Sequence, residues 1–266
     1  MKVSVRESVV THALLLIAAI FAVYPLISII VSSLGGSEGA ANFANFSVAW
    51  TRGSFGSALI ASTIVAATVV IVTAVLASLA GFALATMRIP GSKLIMGLLL
   101  IGLVLPYEVT VLPLYQLLSG WGLIDTYWAL ILPQIGLSVP LGVFWMRTFF
   151  ASVPMELLEA ARLDGASRFQ TLRLVLLPIA GPAIATLCTI LFLFTWNEFL
   201  LALILVPENQ DVQTAPLALS FFSGTARAAD PNVTAAAAVL VALPIVLAYI
   251  VLQRRLISGL TDGAVK

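Results

Sequence analysis

Charged side chains are scarce in this chain. Of its 266 residues only 9% are Asp, Glu, Lys or Arg, whereas 61% are hydrophobic. A soluble domain carries about 25% charged residues, and a folded protein of this length needs polar side chains to cover its surface. The composition therefore excludes an ordinary water-soluble protein and indicates a chain that lies in a lipid bilayer. The net charge of +1 gives no indication of nucleic acid as a partner, because that would require a basic stripe.

Cysteine and histidine are almost absent. Cys188, the one cysteine, allows no intrachain disulfide and no zinc cluster, and we interpret it as a small buried hydrophobe. His12, the one histidine, has no second metal ligand nearby. An intramembrane enzyme needs a Ser/His pair, paired aspartates or a set of metal ligands within its spans, so enzymatic function is disfavoured. No metal or cofactor is predicted.

Six apolar segments are long enough to cross a bilayer, which requires about 20 mostly apolar residues. They lie at 12–34, 58–87, 94–118, 126–150, 177–206 and 234–253. They do not alternate as the strands of a membrane barrel do, so we predict an all-α membrane protein with one transmembrane domain over 1–266. Five of the six contain proline, which interrupts backbone hydrogen bonds and favours a kinked bundle. The first segment exceeds the hydrophobic part of a signal peptide and is predicted to be retained.

The basic residues orient the predicted spans. With six spans both termini lie on one side, and eleven of the 13 Lys and Arg residues lie on that side: Lys2, Arg6, Arg88, Lys93, Arg147, Arg162, Arg168, Arg173, Arg254, Arg255 and Lys266. Only Arg52 and Arg227 lie on the other side. Basic residues concentrate on the cytoplasmic side of membrane proteins, so both termini are predicted to be cytoplasmic. The external segments are too short for a folded binding domain, so solute capture is assigned to another protein.

The loop at 151–176 is the least hydrophobic cytoplasmic stretch. Pro154 suits the first position of a helix. The predicted apolar face of this helix consists of Leu157, Leu158, Ala161 and Leu163. The pair Asp164 and Gly165 predicts a turn in which the glycine takes a positive φ. Ser167 and Gln170 have capping-box spacing, which predicts the start of a second helix. Such an element suits docking to a partner, or it is an amphipathic connector that lies on the membrane.

The chain resembles the permeases of ATP-binding-cassette importers of the carbohydrate uptake branch, of the type of the second maltose-permease subunit. In these permeases a loop carries Glu-Ala-Ala, then Gly four residues on, then a hydrophobic residue followed by Leu-Pro. Here the loop has Glu159, Ala160, Ala161 and Gly165, followed by 176–178. Further similarity lies at 123–128, 196–199, 253–255, 259–261 and 263–266.

This resemblance implies a permease subunit that forms the path of a sugar or oligosaccharide through the plasma (inner) membrane. The implied partners are an unlike second permease, a cytoplasmic ATPase dimer and an extracytoplasmic solute-binding protein. The loop helix would couple to the ATPase through Glu159, Ala160, Ala161, Asp164 and Gly165. Arg162 and Arg168 are interpreted as contact charges or as merely solvated ones. A permease for another small solute, such as a polyamine or amino acid, is the alternative. The chain has no Gly-x-x-x-x-Gly-Lys-Ser/Thr loop, so ATP hydrolysis is assigned to the partner.

Polar residues inside the spans are costly and suggest function. Trp196, Asn197 and Glu198 are the candidates for the translocation path, and Glu198 either contacts the path or fixes helix packing through a hydrogen bond. On a continuous helix Trp196 and Glu198 diverge by about 200°, so we predict that Asn197 and Glu198 face the path while Trp196 packs behind them or against the partner permease.

Overall fold

A computed structural model of the chain describes residues 5–35, 41–224 and 230–264, with side chains over 9–35, 41–222 and 230–250. In these ranges the protein is helical and contains no strand, which confirms the all-α prediction. We label the helices α1 (Val5–Ser33), α2 (Ala44–Arg52), α3 (Phe55–Thr86), α4 (Ser92–Val104), α5 (Val111–Gly120), α6 (Tyr127–Ser152), α7 (Met155–Leu163), α8 (Arg168–Ile179), α9 (Gly181–Trp196), α10 (Leu200–Leu205), α11 (Ala215–Gly224) and α12 (Pro231–Ala264).

Four continuous helices among the described residues are long and apolar enough to cross a membrane. They are Val9–Ser33, Phe55–Thr86, Tyr127–Ser152 and Pro231–Ile250. Two bent helix pairs also qualify if each pair is taken as one span, which gives up to six spans. The described helices are therefore compatible with four to six crossings, and the count of six stays a prediction.

The third predicted segment is broken. A short 3₁₀ turn, Tyr107–Thr110, follows Pro106, and the helices on either side of the break are bent by 92°. Leu105 has an extended backbone with φ −64° and ψ 129°, as the residue before a proline prefers. Proline therefore produces a corner here, where the prediction was a kink.

The fifth predicted segment, 177–206, is not one helix either. The chain bends by 77° at Ala180, between Pro178 and Pro182, where α8 ends and α9 begins. A second interruption follows at residues 197–199, before the short helix α10. The prediction of a single long helix is wrong for this stretch. Apolar composition shows which residues are compatible with lipid, but it does not show where the helical backbone hydrogen bonds are interrupted.

The chain divides into two compact units, which are described separately. The larger unit comprises the described residues of Ser57–Leu217 and Pro244–Lys266. In it α3 and α6 pack closely: a Cβ built at Gly142 would lie 2.8 Å from the Cβ of Ala77, and one at Gly81 would lie 2.8 Å from the Cβ of Met146. Small residues at these crossings let the two backbones approach, as is common between membrane helices.

The smaller unit comprises the described residues of Met1–Gly56 and Ala218–Leu243. Here the Asn45 side-chain amide donates to the carbonyls of Ser33 at 3.0 Å and Gly35 at 2.9 Å, which ties α2 to the end of α1. Phe55 and Phe222 stack with ring centroids 6.0 Å apart. The short helix α2 lies in the predicted external segment between the first two predicted spans. The single domain over 1–266 stays a prediction.

Candidate functional site: a helix–turn–helix loop and a cavity at broken helices

The amphipathic helix α7 forms most of the predicted coupling loop. Pro154 precedes the helix with an extended ψ of 134° and stands one position before the first helical residue, not at it. Leu158 and Ala161 are buried, with 7% and 6% of their surface exposed. Leu157 is 39% exposed and Leu163 is 89% exposed, so the predicted four-residue apolar face is wrong at these two positions. One narrow stripe therefore anchors α7 and leaves the rest of its surface open.

The turn after α7 has the geometry that the sequence predicts. Gly165 has a φ of +76°, its N–H donates to the carbonyl of Arg162 at 3.0 Å, and the Ala166 N–H donates to the carbonyl of Ala161 at 3.0 Å. These two bonds form a Schellman motif, in which a glycine with positive φ closes a helix. A Cβ at Gly165 would meet no atom within 4 Å, so the requirement for glycine here is one of backbone conformation alone.

The second helix of the loop begins at a capping box. The Ser167 hydroxyl accepts from the Gln170 N–H at 3.3 Å, and the Gln170 side chain accepts from the Ser167 N–H at 2.8 Å. This confirms the predicted start of the second helix. The following turn, Thr171–Leu176, is π-helical, and Thr171, Leu172 and Leu176 are buried in it. The loop is thus a helix, a turn and a helix with a packed inner side.

The five predicted coupling residues divide into two groups. Glu159, Ala160, Asp164 and Gly165 are exposed, whereas Ala161 is buried against the protein. Within the described residues the Glu159 carboxylate forms no hydrogen bond or salt bridge. An exposed carboxylate beside a fixed turn is chemically free to bind a partner.

The second candidate region lies where the chain leaves α9. Trp196 is the last residue of that helix, is only 3% exposed and packs on Phe192 with ring centroids 5.4 Å apart. The Asn197 amide donates to the carbonyl of Leu193 at 2.7 Å. The three candidate path residues therefore do not share one helix, and the angular argument from a continuous helix does not apply to them.

Glu198 caps the next helix. Its carboxylate oxygens accept from the N–H groups of Leu201 at 3.0 Å and Ala202 at 3.4 Å, at the start of α10. The first N–H groups of a helix have no partner within the helix, and a side-chain oxygen that accepts from them stabilises it. This is a structural role for Glu198, and it leaves the side chain half-buried rather than enclosed.

Glu198 also borders a cavity of about 680 Å³. The cavity lies beside the breaks in the third and fifth predicted segments. Leu103 and Tyr107 line it from the first of these breaks, and the residues from Thr195 to Leu200 except Trp196 line it from the second. Its remaining polar lining comes from Gln134 and Ser138 on α6. No Lys or Arg is among the described residues that line it.

Tyr107, Gln134 and Ser138 were not among the predicted path residues. The only sequence signal for Tyr107 is its position after Pro106, at the proline break. Gln134 and Ser138 lie four residues apart on α6, so they share one face of a helix. Nothing in the sequence relates that face to residue 198.

A family model decides the class of the protein. The model of the binding-protein-dependent transport system inner membrane component matches residues 77–262. The chain belongs to this family. The carbohydrate-permease resemblance noted above is thereby confirmed at the level of the family, and the matched range of this inner membrane component includes both candidate regions.

Curated relatives of this inner membrane component are permease proteins. The trehalose transport system permease protein SugB of Mycobacterium tuberculosis (strain CDC 1551 / Oshkosh) is 38% identical over 178 residues, which is 66% of this chain but only 65% of SugB. The melibiose/raffinose/stachyose import permease protein MelC of Bacillus subtilis (strain 168) is 34% identical over 226 residues, 85% of this chain and 81% of MelC. The diacetylchitobiose uptake system permease protein NgcG of Streptomyces coelicolor (strain ATCC BAA-471 / A3(2) / M145) is 29% identical over 97% of this chain and 89% of NgcG.

A solved structure has the same fold. The crystal structure of a bacterial ABC transporter involved in the import of the acidic polysaccharide alginate superposes with a TM-score of 0.78. The alignment covers 96% of this chain and 99% of that chain at 20% identity. At this identity the likeness concerns the fold alone.

Proposed function

We propose that this chain is the transmembrane permease subunit of an ATP-binding-cassette importer and forms part of the path of a sugar or oligosaccharide. The observation that carries the proposal is the cavity of about 680 Å³ at the ends of broken helices, lined by Asn197, Glu198, Gln134 and Ser138. Interrupted helices with polar groups at their ends are a recurrent way to build a solute site inside a membrane. Amide, hydroxyl and carboxylate groups are suitable partners for sugar hydroxyls.

The lining favours a neutral solute. It contains one carboxylate and, among the described residues, no Lys or Arg to balance an anionic sugar. Relatives named for trehalose, for melibiose, raffinose and stachyose, and for diacetylchitobiose support carbohydrate over the alternative of a polyamine or amino acid. Of these two alternative solutes, a polyamine fits the cavity better than an amino acid does, because the Glu198 carboxylate would attract a cation.

The loop is proposed to couple this subunit to an ATPase. The exposed side of α7, with Glu159, Ala160, Asp164 and Gly165, would enter a groove on the partner, while Ala161 and Leu158 hold the helix to the membrane domain. The fixed turn at Gly165 would transmit a movement of the ATPase to the membrane domain more directly than a flexible loop would. The chain itself is proposed to be non-catalytic, with ATP hydrolysis on a cytoplasmic ATPase dimer.

The remaining assignments follow from the same proposal. The chain lies in the plasma (inner) membrane with both termini cytoplasmic, pairs with a second and unlike permease, and receives its solute from an extracytoplasmic binding protein. The charge distribution supports the orientation. The short external segments support capture by a separate protein.

Reconstitution tests the proposal directly. The chain, co-purified with its proposed permease, ATPase and binding-protein partners, is placed in liposomes, and uptake of a radiolabelled disaccharide is measured with and without ATP. We expect ATP-dependent uptake that excess unlabelled disaccharide suppresses and that spermidine leaves unchanged. ATP-dependent uptake of radiolabelled spermidine, with none of the radiolabelled disaccharide, would assign the chain to polyamines, and the absence of any uptake across a panel of sugars and polyamines would contradict a transport role.

A further inference from the structure

A second cavity, of about 430 Å³, lies beside the coupling loop. Arg88, just past the end of α3, lines it together with Arg162 from α7 and Arg168 from α8. Phe82, Met155 and Leu158 contribute apolar lining. Three separate elements therefore bring three guanidinium groups to one concave surface.

The positive charge of this cavity is not balanced within the described residues. No carboxylate is among the described residues that line it, and none forms a salt bridge with Arg88, Arg162 or Arg168. Among the described residues the one side-chain hydrogen bond of these arginines runs from Arg168 Nη1 to the sulfur of Met87 at 3.5 Å, which offers no negative charge. Three like charges around one hollow repel one another, so an anion that enters is favoured.

Arginine in such a group matches one ligand chemistry closely. The planar guanidinium presents paired N–H donors, which bind two oxygens of a phosphate at once. The end of α3 also suits a lipid source, because a helix of 32 residues is about 48 Å long and exceeds the bilayer hydrocarbon of about 30 Å. A span of this length would place Arg88 at or just beyond the layer of lipid headgroups, with apolar side chains alongside for the glycerol region.

We propose that the cavity between the end of α3, α7 and the start of α8 binds a phosphate group through Arg88, Arg162 and Arg168. The source is either the headgroup of an anionic phospholipid in the adjacent leaflet or a free phosphate. Basic pockets between membrane helices on the cytoplasmic side are known to take lipid headgroups. The site needs only that α3 spans the membrane, so it stands apart from the identity of the transported solute. A bound phosphate would brace the coupling loop against the membrane domain.

Native mass spectrometry of the full-length chain in detergent tests this site with two probes, phosphatidylglycerol and inorganic phosphate. The test variant is Arg162→Gln/Arg168→Gln. The matched control is Arg52→Gln/Arg173→Gln, which also removes two positive charges but from exposed residues that do not line the cavity. We expect the test variant to bind phosphatidylglycerol about tenfold or more weakly, because two charge-assisted contacts are lost, while the control binds like the unmodified chain.

The outcomes separate the sources and the competing explanations. If the test variant loses binding of phosphatidylglycerol but binds inorganic phosphate as the unmodified chain does, the site is assigned to lipid. If it loses binding of inorganic phosphate alone, the site is assigned to a free anion. Equal losses in the test and control variants overturn the site, since they indicate net charge alone. Normal binding of both probes by the test variant also overturns the site. If that variant in addition no longer assembles with the ATPase, the arginines are assigned to a protein interface. Arg162→Lys/Arg168→Lys is the folding control, and it should retain part of the binding.

Discussion

The two cavities of the larger unit differ in charge and in the way they are built. The cavity of about 680 Å³, the carboxylate cavity, has one carboxylate and, in the described part of the chain, no basic residue in its lining, and it opens where helices are interrupted. The cavity of about 430 Å³, the arginine cavity, has three arginines and is bounded by the end of α3 and by α7 and α8, which a turn joins. The first arises from backbone breaks inside apolar segments, and the second arises from side chains of separate segments. Interruptions thus bring amide, hydroxyl and carboxylate groups together in one cavity, whereas the turn after α7 brings positive charge together in the other.

The packing of α3 on α6 is common to both cavities. Phe82 at the end of α3 borders the arginine cavity, and Gln134 and Ser138 on α6 border the other. A change at the crossing of these helices should therefore disturb both cavities, while a change at either cavity should disturb one. This separation orders the expected effects.

The largest effect is expected from Gly142→Leu. Because a Cβ at this position would already lie 2.8 Å from the Cβ of Ala77, a leucine must push α3 and α6 apart, at a cost of about 1–3 kcal/mol or more. We expect loss of most of the monodisperse protein in size-exclusion chromatography and loss of both phosphate binding and uptake. Gly136→Leu on the same helix, where a Cβ meets nothing within 4 Å, is the control and should leave the elution profile intact. A normal profile for Gly142→Leu would show that the close crossing is dispensable.

The next effect concerns the arginine cavity and the coupling loop alone. Gly165→Val forces a β-branched residue to a φ of +76°, at a cost of about 1–2 kcal/mol, although space is open around it. The protein should still insert in the membrane but lose solute-stimulated ATP hydrolysis in the reconstituted complex. Gly165→Asn should retain most of that hydrolysis, since asparagine tolerates positive φ. If valine and asparagine behave alike, the turn conformation is not what coupling requires.

A smaller effect is expected when only the carboxylate cavity changes. Glu198→Leu removes both the cap of α10 and a polar group from the cavity, whereas Glu198→Gln keeps one acceptor oxygen and the shape of the side chain. Loss of one hydrogen bond of about 1 kcal/mol corresponds to about fivefold slower uptake at low sugar concentration. Leu should therefore reduce uptake far more than Gln, with ATPase assembly unchanged. Near-native uptake by both variants would leave Glu198 with its capping role only.

The smallest effect is expected from cysteine labels that report orientation. In a Cys188→Ala background, cysteines at Arg88 and Ser167 should react with an impermeant maleimide only from the cytoplasm, and one at Asn209 only from outside. Ser167→Cys removes the capping-box hydroxyl and Asn209→Cys removes a hydrogen bond to the Asp125 carbonyl, so the uptake of each variant is compared with that of the Cys188→Ala protein before labelling. Labelling of the cysteine at position 88 from outside would reverse the predicted orientation and place the arginine cavity at the opposite leaflet.

Local rules predicted the coupling loop well. The positive φ of Gly165 and the capping box of Ser167 and Gln170 each depend on a few neighbouring residues, so sequence alone is sufficient for them. The buried stripe of α7 was predicted too wide, because it depends on which neighbours α7 meets. The prolines indicated that the spans are not straight, but they did not predict how large the bend after Pro106 is, 92°, or the gap at residues 197–199.

The two cavities could not be predicted as such. Asn197 and Glu198 stood out because polar residues are rare in apolar segments, yet nothing local connects them with Gln134 and Ser138. Arg88, Arg162 and Arg168 are separated by more than 70 residues at the widest and follow no pattern in the sequence. They meet only because α3, α7 and α8 fold against one another.

Selective blockage of the larger cavity tests the central claim most directly. Ser138→Cys, again in a Cys188→Ala background, places a thiol in the cavity lining, and Leu132→Cys places one on the exposed side of the same helix α6. Each reconstituted complex is treated with a bulky thiol reagent, and ATP-dependent uptake of the radiolabelled sugar is measured before and after treatment. If the cavity is the path, treatment stops uptake through Ser138→Cys and leaves uptake through Leu132→Cys unchanged. Undiminished uptake through a fully modified Ser138→Cys protein would contradict the assignment of this cavity to the translocation path.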